Sequence, residues 1–174
     1  MVNYRRDKTR GGTYFFTLAL KDRTSKVLTN NIASLRRSFR RARRNNFFII
    51  KAIVVLPEHM HLLMELPEED ADYSTRLRQI KTYFLHELLS AGAPLLKNQK
   101  NEYNLWQRRF WEHRIRNESD FCAHVNYIHF NPVKHGWVKE VIDWPYSSFH
   151  KYVREGMLPK SWSGKLMDDF NFGE

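Results

Sequence analysis

Cysteine and long apolar segments are nearly absent from this sequence, and each absence excludes a class of protein. Cys122 is the only cysteine, so no disulfide can form within the chain, which indicates a reducing, cytoplasmic setting. The longest apolar run, 47–56, is interrupted by Lys51 and falls short of the roughly 18–20 apolar residues that a membrane span needs. The amino terminus has no apolar segment of the secretory type. We therefore expect a soluble globular protein.

Glycine and proline are also scarce, with 7 and 6 residues in a chain of 174. The sequence has no Gly/Ser-rich linker, no low-complexity tract and no internal repeat. A chain of this length fits one domain and can bury a sizeable core. We expect a single domain over 1–174, with a basic amino-terminal arm (1–12) and a carboxy-terminal tail (157–174).

Acidic residues are scarce in the first third of the chain. Residues 1–60 carry 14 Lys and Arg against 3 Asp and Glu, whereas residues 61–174 carry 15 against 16. The net charge of +10 therefore originates in the first third. A one-sided basic surface is typical of a polyanion partner. A solubilising surplus of charge is the alternative, but the clustering favours the polyanion.

Hydrophobic periodicity and turn residues predict the order of the secondary structure elements. The predicted strands are 13–20, 47–56, 59–66 and 110–115. The predicted helices are 29–45, 74–90, one from Asn117 or Ser119 to Asn131, where Pro132 ends it, and 145–154. This order predicts an α+β, ferredoxin-like sandwich with an antiparallel central sheet and helices mainly on one face.

Two histidines, His59 and His61, stand two residues apart on a predicted strand. Side chains at this spacing point to the same face, about 6.7 Å apart along the strand, so two imidazoles can bind one metal ion. Met60 points into the opposite layer. Two exposed histidines on an edge strand are the alternative interpretation, and taken alone this pair does not exclude it.

A second group of polar residues lies on the helix that precedes Pro132. Tyr127 and Asn131 are four residues apart, which places them on one helical face with Cβ atoms about 5–6 Å apart. His124 extends this stripe by one turn. A half-buried tyrosine and a helix-terminal asparagine would be the structural interpretation of either residue alone.

Together the two groups predict a specific chemistry. Two imidazoles and one amide oxygen provide three ligands for a divalent ion, Mg²⁺ or Mn²⁺, with Zn²⁺ as an alternative. A neighbouring tyrosine can then attack phosphorus and form a covalent phosphotyrosine. Free tyrosine has a pKa of about 10, so the metal or a base such as His124 or His129 must help it to ionise.

These motifs resemble those of the HUH tyrosine transposases and, more narrowly, of the bacterial REP-associated tyrosine transposases. The resemblance rests on Val-Val-Leu-Pro-Glu-His-Met-His at 54–61 and Tyr-Ile-His-Phe-Asn-Pro-Val-Lys-His-Gly at 127–136. It extends to segments 4–17, 106–116, 137–139 and 143–150, and so covers nearly the whole chain. Together these blocks are specific, whereas His-Met-His alone is not.

The resemblance implies a ferredoxin-like fold with the histidine pair on a central strand. It implies metal binding by His59, His61 and Asn131, and nucleophilic attack by Tyr127, which becomes joined to the 5′ phosphate of cleaved single-stranded DNA. Asn131 stands where related insertion-sequence enzymes often carry Gln. The implied substrates are palindromic hairpins repeated between bacterial genes, with a short tetranucleotide at the foot. A monomer is expected, and a dimer is the alternative.

Basic residues on the arm, on the helix 29–45 and beside the last strand are predicted to contact DNA phosphates. They are Arg5, Arg6, Lys8, Arg10, Arg36, Arg40, Arg44, Arg108 and Arg114. For the helix arginines a solvated face is the alternative. We further expect the tail to fold near the active site, where it recognises DNA or restrains cleavage; a docked structural terminus is the other interpretation.

Two other functions remain compatible with these residues. One is a regulator that binds hairpin DNA without cleaving it. The other is a metal hydrolase that uses water, with Tyr127 in a structural role. All three predict single-stranded or hairpin nucleic acid as the partner, and none predicts a membrane.

Overall fold

A computed structural model of the protein describes residues 7–164. Arg5 and Arg6 of the predicted basic arm lie outside the described residues, and so does the predicted tail from residue 165 onward. Within residues 7–164, no helix is both long enough and apolar enough to cross a lipid bilayer.

Four strands form one antiparallel sheet. They are β1 (Thr13–Ala19), β2 (Ile49–Val55), β3 (His59–Glu65) and β4 (Trp111–Arg114). Their order across the sheet is β2-β3-β1-β4, and every neighbouring pair is antiparallel. This is the split βαβ arrangement of ferredoxin-like folds, so the α+β prediction and the central position of the histidine strand are confirmed.

The described residues also form five α-helices and a short 3₁₀ turn. The α-helices are α1 (Val27–Asn30), α2 (Ile32–Asn45), α3 (Tyr73–Ser90), α4 (Glu118–Lys134) and α5 (Phe149–Arg154). The 3₁₀ turn covers Val141–Asp143. The predicted helix 29–45 is thus divided into two helices at Asn31, whose side-chain amide donates to the carbonyl of Val27.

Successive side chains of β1 point to opposite faces of the sheet, and each face has its own hydrophobic core. Tyr14, Phe16 and Leu18 pack with α2 and α3, whereas Phe15 packs on the other side with Val125 of α4. Each fully buried large apolar side chain stabilises the fold by on the order of 1.5–3 kcal/mol. Two of the three long helices therefore share one face of the sheet, as predicted, and α4 is the long helix on the face that carries the two histidines.

The end of α4 differs from the prediction. The helix was expected to end at Asn131, but it continues through Pro132 to Lys134. A proline inside a helix removes one backbone donor, yet Asn131 and Pro132 are buried and the next turn closes through the bond from the His135 N–H to the Asn131 carbonyl at 3.0 Å. Burial on the sheet therefore outweighs the lost hydrogen bond, and the helix gains one more turn above the histidines.

The last helix is shorter than predicted because residues 145–148 pair with the edge of the sheet. The Val55 N–H donates to the Tyr146 carbonyl at 2.9 Å, and Val54 and Ser147 form an isolated antiparallel bridge. The hydroxyl of Ser148 accepts from the Ile53 N–H at 2.9 Å. These bonds cover part of the free edge of β2, which protects it from pairing with other chains.

Candidate active site

The two histidines of β3 point to the same face of the sheet, as the strand period requires. The centroids of the His59 and His61 rings are 4.9 Å apart. Both side chains are buried, with relative exposures of 1% and 0%. Met60 lies in the opposite core, with α2 and α3. The prediction that the pair shares one face is confirmed, and the pair is not on an exposed edge strand.

Neighbouring side chains orient both imidazole rings. Nδ1 of His59 lies 2.8 Å from Oε1 of Glu58, and Nδ1 of His61 lies 2.9 Å from the Thr17 hydroxyl on the paired strand β1. A carboxylate that accepts from Nδ1–H fixes the tautomer in which Nε2 carries the lone pair. Sequence reasoning missed both partners. Glu58 adjoins His59 in sequence, but only the strand register identifies Thr17.

Burial keeps His59 in the form that binds metal. Burial lowers the pKa of His59, and the hydrogen bond from its ring to Glu58 opposes that effect only in part. Nε2 of His59 is buried and has no hydrogen-bond partner among the described residues. A buried polar nitrogen without a partner is costly in free energy. This nitrogen therefore fits a metal ligand.

One stripe of α4 lies against the histidines. Tyr127 and Asn131 are buried, with exposures of 1% and 0%, and His135 follows Asn131 by four residues at the end of the helix. The Tyr127 ring centroid is 5.1 Å from that of His61, and the His135 centroid is 5.3 Å from that of His59. Asn131 is four residues from both Tyr127 and His135, and it therefore lies on the same face of α4.

Lys134 is a further residue that sequence reasoning missed. Its Nζ lies 3.5 Å from the Tyr127 hydroxyl and 4.9 Å from the centroid of the Tyr127 ring. The spacing of seven residues, two helical turns, was visible in the sequence. A helix that ends at Asn131, as Pro132 predicts, would not include Lys134, whereas α4 extends to it. The ammonium group provides positive charge beside the hydroxyl.

The two predicted accessory histidines lie in different surroundings. Nδ1 of His124 is 2.8 Å from the Asp120 carbonyl, and its ring stacks on His113 at 4.7 Å. Nε2 of His129 is 3.0 Å from the Ser148 hydroxyl. Burial, together with the charge of His150, lowers the pKa of His129 to about 3. Both histidines therefore have structural partners, and proton transfer from either one at Tyr127 stays a prediction.

A second group of potential ligands surrounds Asp120. The ligand atoms of His113, Asp120 and His124 lie within 4.8 Å of one another. The Asp120 carboxylate already interacts with both rings, at 2.9 Å and 3.0 Å, and accepts from the Arg116 N–H at 2.9 Å. These bonds attach the start of α4 to β4. They account for the cluster without an ion.

The predicted DNA contacts that lie within residues 7–164 belong to several different elements. Exposed arginines of α2 lie on the face of the sheet opposite α4: Arg36, Arg40 and Arg44. Lys8, Arg10 and Arg108 are also exposed. Arg114 forms a salt bridge with Asp7 at 2.8 Å, which attaches the end of the arm to β4. This salt bridge gives Arg114 a structural role, and a phosphate contact by Arg114 stays a prediction.

The sequence and the fold resemble those of known proteins. The family model described as "Transposase IS200 like" matches residues 9–131, a range that includes both histidines, Tyr127 and Asn131. A REP-associated tyrosine transposase of Escherichia coli (strain K12) is 49% identical over 174 residues, covering 100% of this chain and 98% of that protein. A relative from Haemophilus influenzae, also named as a REP-associated tyrosine transposase, is 47% identical over 166 residues and covers 94% of each chain.

Solved structures provide a second comparison. A REP-associated tyrosine transposase bound to a REP hairpin superposes with a TM-score of 0.88 and 48% sequence identity. The alignment covers 100% of this chain and 98% of the other. Fold and sequence therefore point to the same family.

Proposed function

The chain belongs to the IS200-like transposase family, as a REP-associated tyrosine transposase, and from that premise we propose that it cleaves and rejoins hairpin DNA through Tyr127. The observation that carries this proposal is the packing of the Tyr127 ring against His61, 5.1 Å between centroids, in a buried site that also holds His59 and Asn131. The substrate class comes from the solved relative, which is bound to a REP hairpin.

The residues of α4 and β3 have different roles in the proposed reaction. Tyr127 provides the nucleophilic oxygen, and Lys134 stabilises negative charge on it. His59 and His61, oriented by Glu58 and Thr17, would hold a divalent ion, Mg²⁺ or Mn²⁺, with the amide oxygen of Asn131 as third ligand. When bound, that ion acts as a Lewis acid on the scissile phosphate.

The cleavage step is an exchange of phosphodiester bonds. The Tyr127 oxygen forms a bond to phosphorus, and the bond from phosphorus to the 3′ oxygen breaks with its electron pair on that oxygen. The phenolic proton is lost from Tyr127, and the released oxygen takes up a proton as a 3′ hydroxyl. The 5′ phosphate remains covalently attached to Tyr127. Attack by a 3′ hydroxyl on this phosphotyrosine reverses the exchange and rejoins DNA.

A denaturing gel tests the covalent intermediate. Hairpin DNA labelled on the 3′ side of the cleavage site is incubated with Mn²⁺ or Mg²⁺, and the gel separates free DNA from protein-linked DNA. We expect a protein-linked band with the wild type and with Tyr146→Phe, and none with Tyr127→Phe. Binding without cleavage by the wild type would support a non-cleaving regulator. Cleavage that persists in Tyr127→Phe would support attack by water.

The metal requirement is tested separately. Chelation with EDTA is expected to abolish the protein-linked band, and added Mn²⁺ or Mg²⁺ to restore it. His59→Ala and His61→Ala are expected to remove cleavage and to weaken Mn²⁺ binding, whereas the exposed His86→Ala leaves both unchanged. Cleavage by the wild type in EDTA at the rate seen with metal would contradict the proposed ligand set.

A further inference from the structure

Trp111 places an exposed indole on the face of the sheet that carries the two histidines. In the antiparallel register Trp111 of β4 pairs with Thr17 of β1, and Thr17 pairs with His61 of β3. Directly paired residues point to the same side of a sheet, and the Thr17 hydroxyl contacts the His61 ring. Neighbouring strands are about 4.8 Å apart, so the Cα of Trp111 lies about 10 Å from the Cα of His61.

This indole has no ring packed against it. Within residues 7–164, each of the other tryptophans has an aromatic neighbour: Trp106, Trp137, Trp144 and Trp162. Trp111 has no such neighbour among those residues and no side-chain hydrogen bond to them, and it is 36% exposed. A single exposed apolar side chain is common on protein surfaces. The position of Trp111 beside the active site is what gives its open ring a meaning.

The residues on either side of Trp111 hold its backbone in place. The Phe110 ring packs against Phe16, with centroids 5.9 Å apart, and the Glu112 carboxylate accepts a hydrogen bond from the Tyr73 hydroxyl at 2.8 Å. Both contacts are on the α3 side of the sheet, so the indole between them projects from an anchored strand. A group that is already held in place loses little conformational freedom when a ligand binds.

The surface between the indole and the histidines has small side chains. β1 is the strand between β4 and β3, and its residues paired with His61 and His59 are Thr17 and Ala19. The strands of the sheet therefore place no large side chain between Trp111 and His61. An unpaired strand with one phosphate at the histidines can extend across β1 and bring a neighbouring base to the indole.

We propose that Trp111 binds an unpaired base next to the scissile phosphate by stacking its indole on that base. This proposal rests on the proposed function, which places the scissile phosphate at His59 and His61. Every base has a π face, so a stacking contact tolerates any sequence and serves to hold the strand in position. The indole carries no charge, so its contribution is separate from that of phosphate contacts.

A fluorescent base locates the contact. Hairpin DNA with an unpaired strand across the cleavage site carries 2-aminopurine at one position at a time, on each side of the scissile phosphate. Stacking on an aromatic ring quenches the fluorescence of this base. In EDTA, which prevents cleavage, the wild type should quench 2-aminopurine at a position next to the scissile phosphate, and Trp111→Ala should lose that quenching.

The affinity of variants for the same DNA measures the contact. Trp111→Ala should bind about fivefold or more weakly, as expected for the loss of one stacked base, and Trp111→Phe, which keeps a ring, should bind between this variant and the wild type. The log–log salt slope should not change, because no charge is removed. Phe47→Ala is the control: it removes an exposed ring near the end of β2 that is remote from the histidines, and it should bind as the wild type does.

An abasic site at the quenched position completes the test. It should weaken binding by the wild type and have little further effect on Trp111→Ala, because the ring and the base act as a pair. The comparison of intact and abasic DNA with the wild type does not depend on whether Trp111→Ala folds. Equal quenching by the wild type and Trp111→Ala, or no loss of wild-type affinity for abasic DNA, would overturn the proposal, as would an equal loss in Phe47→Ala. A missing Tyr127–DNA adduct in the wild type would instead contradict the proposed function.

Discussion

At the scale of single residues, Glu58 determines how His59 can bind metal. Its carboxylate lies 2.8 Å from Nδ1 of His59 and is also within 3.5 Å of the Arg23 guanidinium. Loss of a partner that orients a ligating histidine typically weakens metal binding 10- to 100-fold. We expect Glu58→Gln to weaken Mn²⁺ binding by about that factor, as measured by calorimetric titration.

A carboxylate at the other end of β3 provides the control for Glu58. Glu65 pairs with Lys51 at 2.8 Å at the far end of β3, and Glu65→Gln should leave Mn²⁺ affinity unchanged. High Mn²⁺ concentration should restore cleavage to Glu58→Gln, because its Tyr127 is intact. Equal Mn²⁺ affinities for Glu58→Gln and the wild type would show that the His59–Glu58 contact has no role in metal binding.

Lys134 is expected to accelerate the chemical step. Its ammonium group lies beside the Tyr127 hydroxyl, and removal of one preorganised electrostatic group from an active site typically costs about 10²-fold or more in rate. We expect Lys134→Met to slow single-turnover formation of the Tyr127–DNA adduct by about 10²-fold, and Lys134→Arg to slow it less. The exposed Lys139→Met is the control, and a wild-type rate in Lys134→Met would refute the role.

Residue spacing could predict part of the site and no more. A spacing of two residues on a strand puts His59 and His61 on one face of the sheet. A spacing of four on a helix puts Tyr127 and Asn131 on one face of α4. The structure confirms both placements. Contacts between distant segments have no such period. The bond between Thr17 and His61 joins residues 44 apart, and the pairing of Arg114 with Asp7 depends on where the arm meets β4.

At the scale of elements, the start of α4 can be tested. The sequence left Asn117 and Ser119 as alternative caps, and the structure shows that Oδ1 of Asn117 accepts from the Asp120 N–H at 2.9 Å. Loss of such a cap costs about 1 kcal/mol. We expect Asn117→Ala to lower the free energy of unfolding by about 1 kcal/mol in urea titrations.

Ser119→Ala is the matched control for the cap. Ser119 is exposed in the first turn of α4, and an exposed Ser→Ala change in a helix usually alters stability by less than about 0.5 kcal/mol. If Ser119→Ala proved as costly as Asn117→Ala, the cap would be assigned to the wrong residue.

Element boundaries were hardest to predict where tertiary contacts outweigh local preferences. Local rules end α4 before Pro132, but burial of Asn131 and Pro132 carries the helix to Lys134. The same rules extend the last helix back to residue 145, but pairing with β2 holds 145–148 outside it. In both cases the deciding interaction is with the sheet, which a local sequence window does not contain.

At the scale of the whole molecule, positive charge and chemistry occupy different faces. The first third of the sequence carries the excess charge, and its arginine-rich helix α2 packs on the face of the sheet opposite α4. Within residues 7–164, Lys134 is the cation that lies beside Tyr127, at the site between β3 and α4. Affinity for DNA and cleavage of DNA should therefore be separable by mutation.

Stability of the whole molecule should depend on pH through its buried histidines. Burial lowers the pKa of His129 to about 3, against about 6.5 in the unfolded chain. The unfolded state binds the proton more strongly, so this contribution is fully present above about pH 6.5 and is lost progressively as the pH falls toward 3. His59 and His124, whose pKa values burial also lowers, act in the same direction.

The size of this effect can be assigned to His129 by substitution. At pH 5, about 1.5 units below the unfolded pKa, His129 should reduce the free energy of unfolding by about 2 kcal/mol relative to pH 7. In His129→Leu the difference between pH 7 and pH 5, measured by urea titration in EDTA, should shrink by about that amount. The exposed His86→Leu should leave the difference unchanged. His129→Leu also loses the contact with Ser148, so the informative quantity is the difference between the free energies of unfolding at pH 7 and pH 5. If this difference were as large in His129→Leu as in the wild type, the pH sensitivity would belong to other groups.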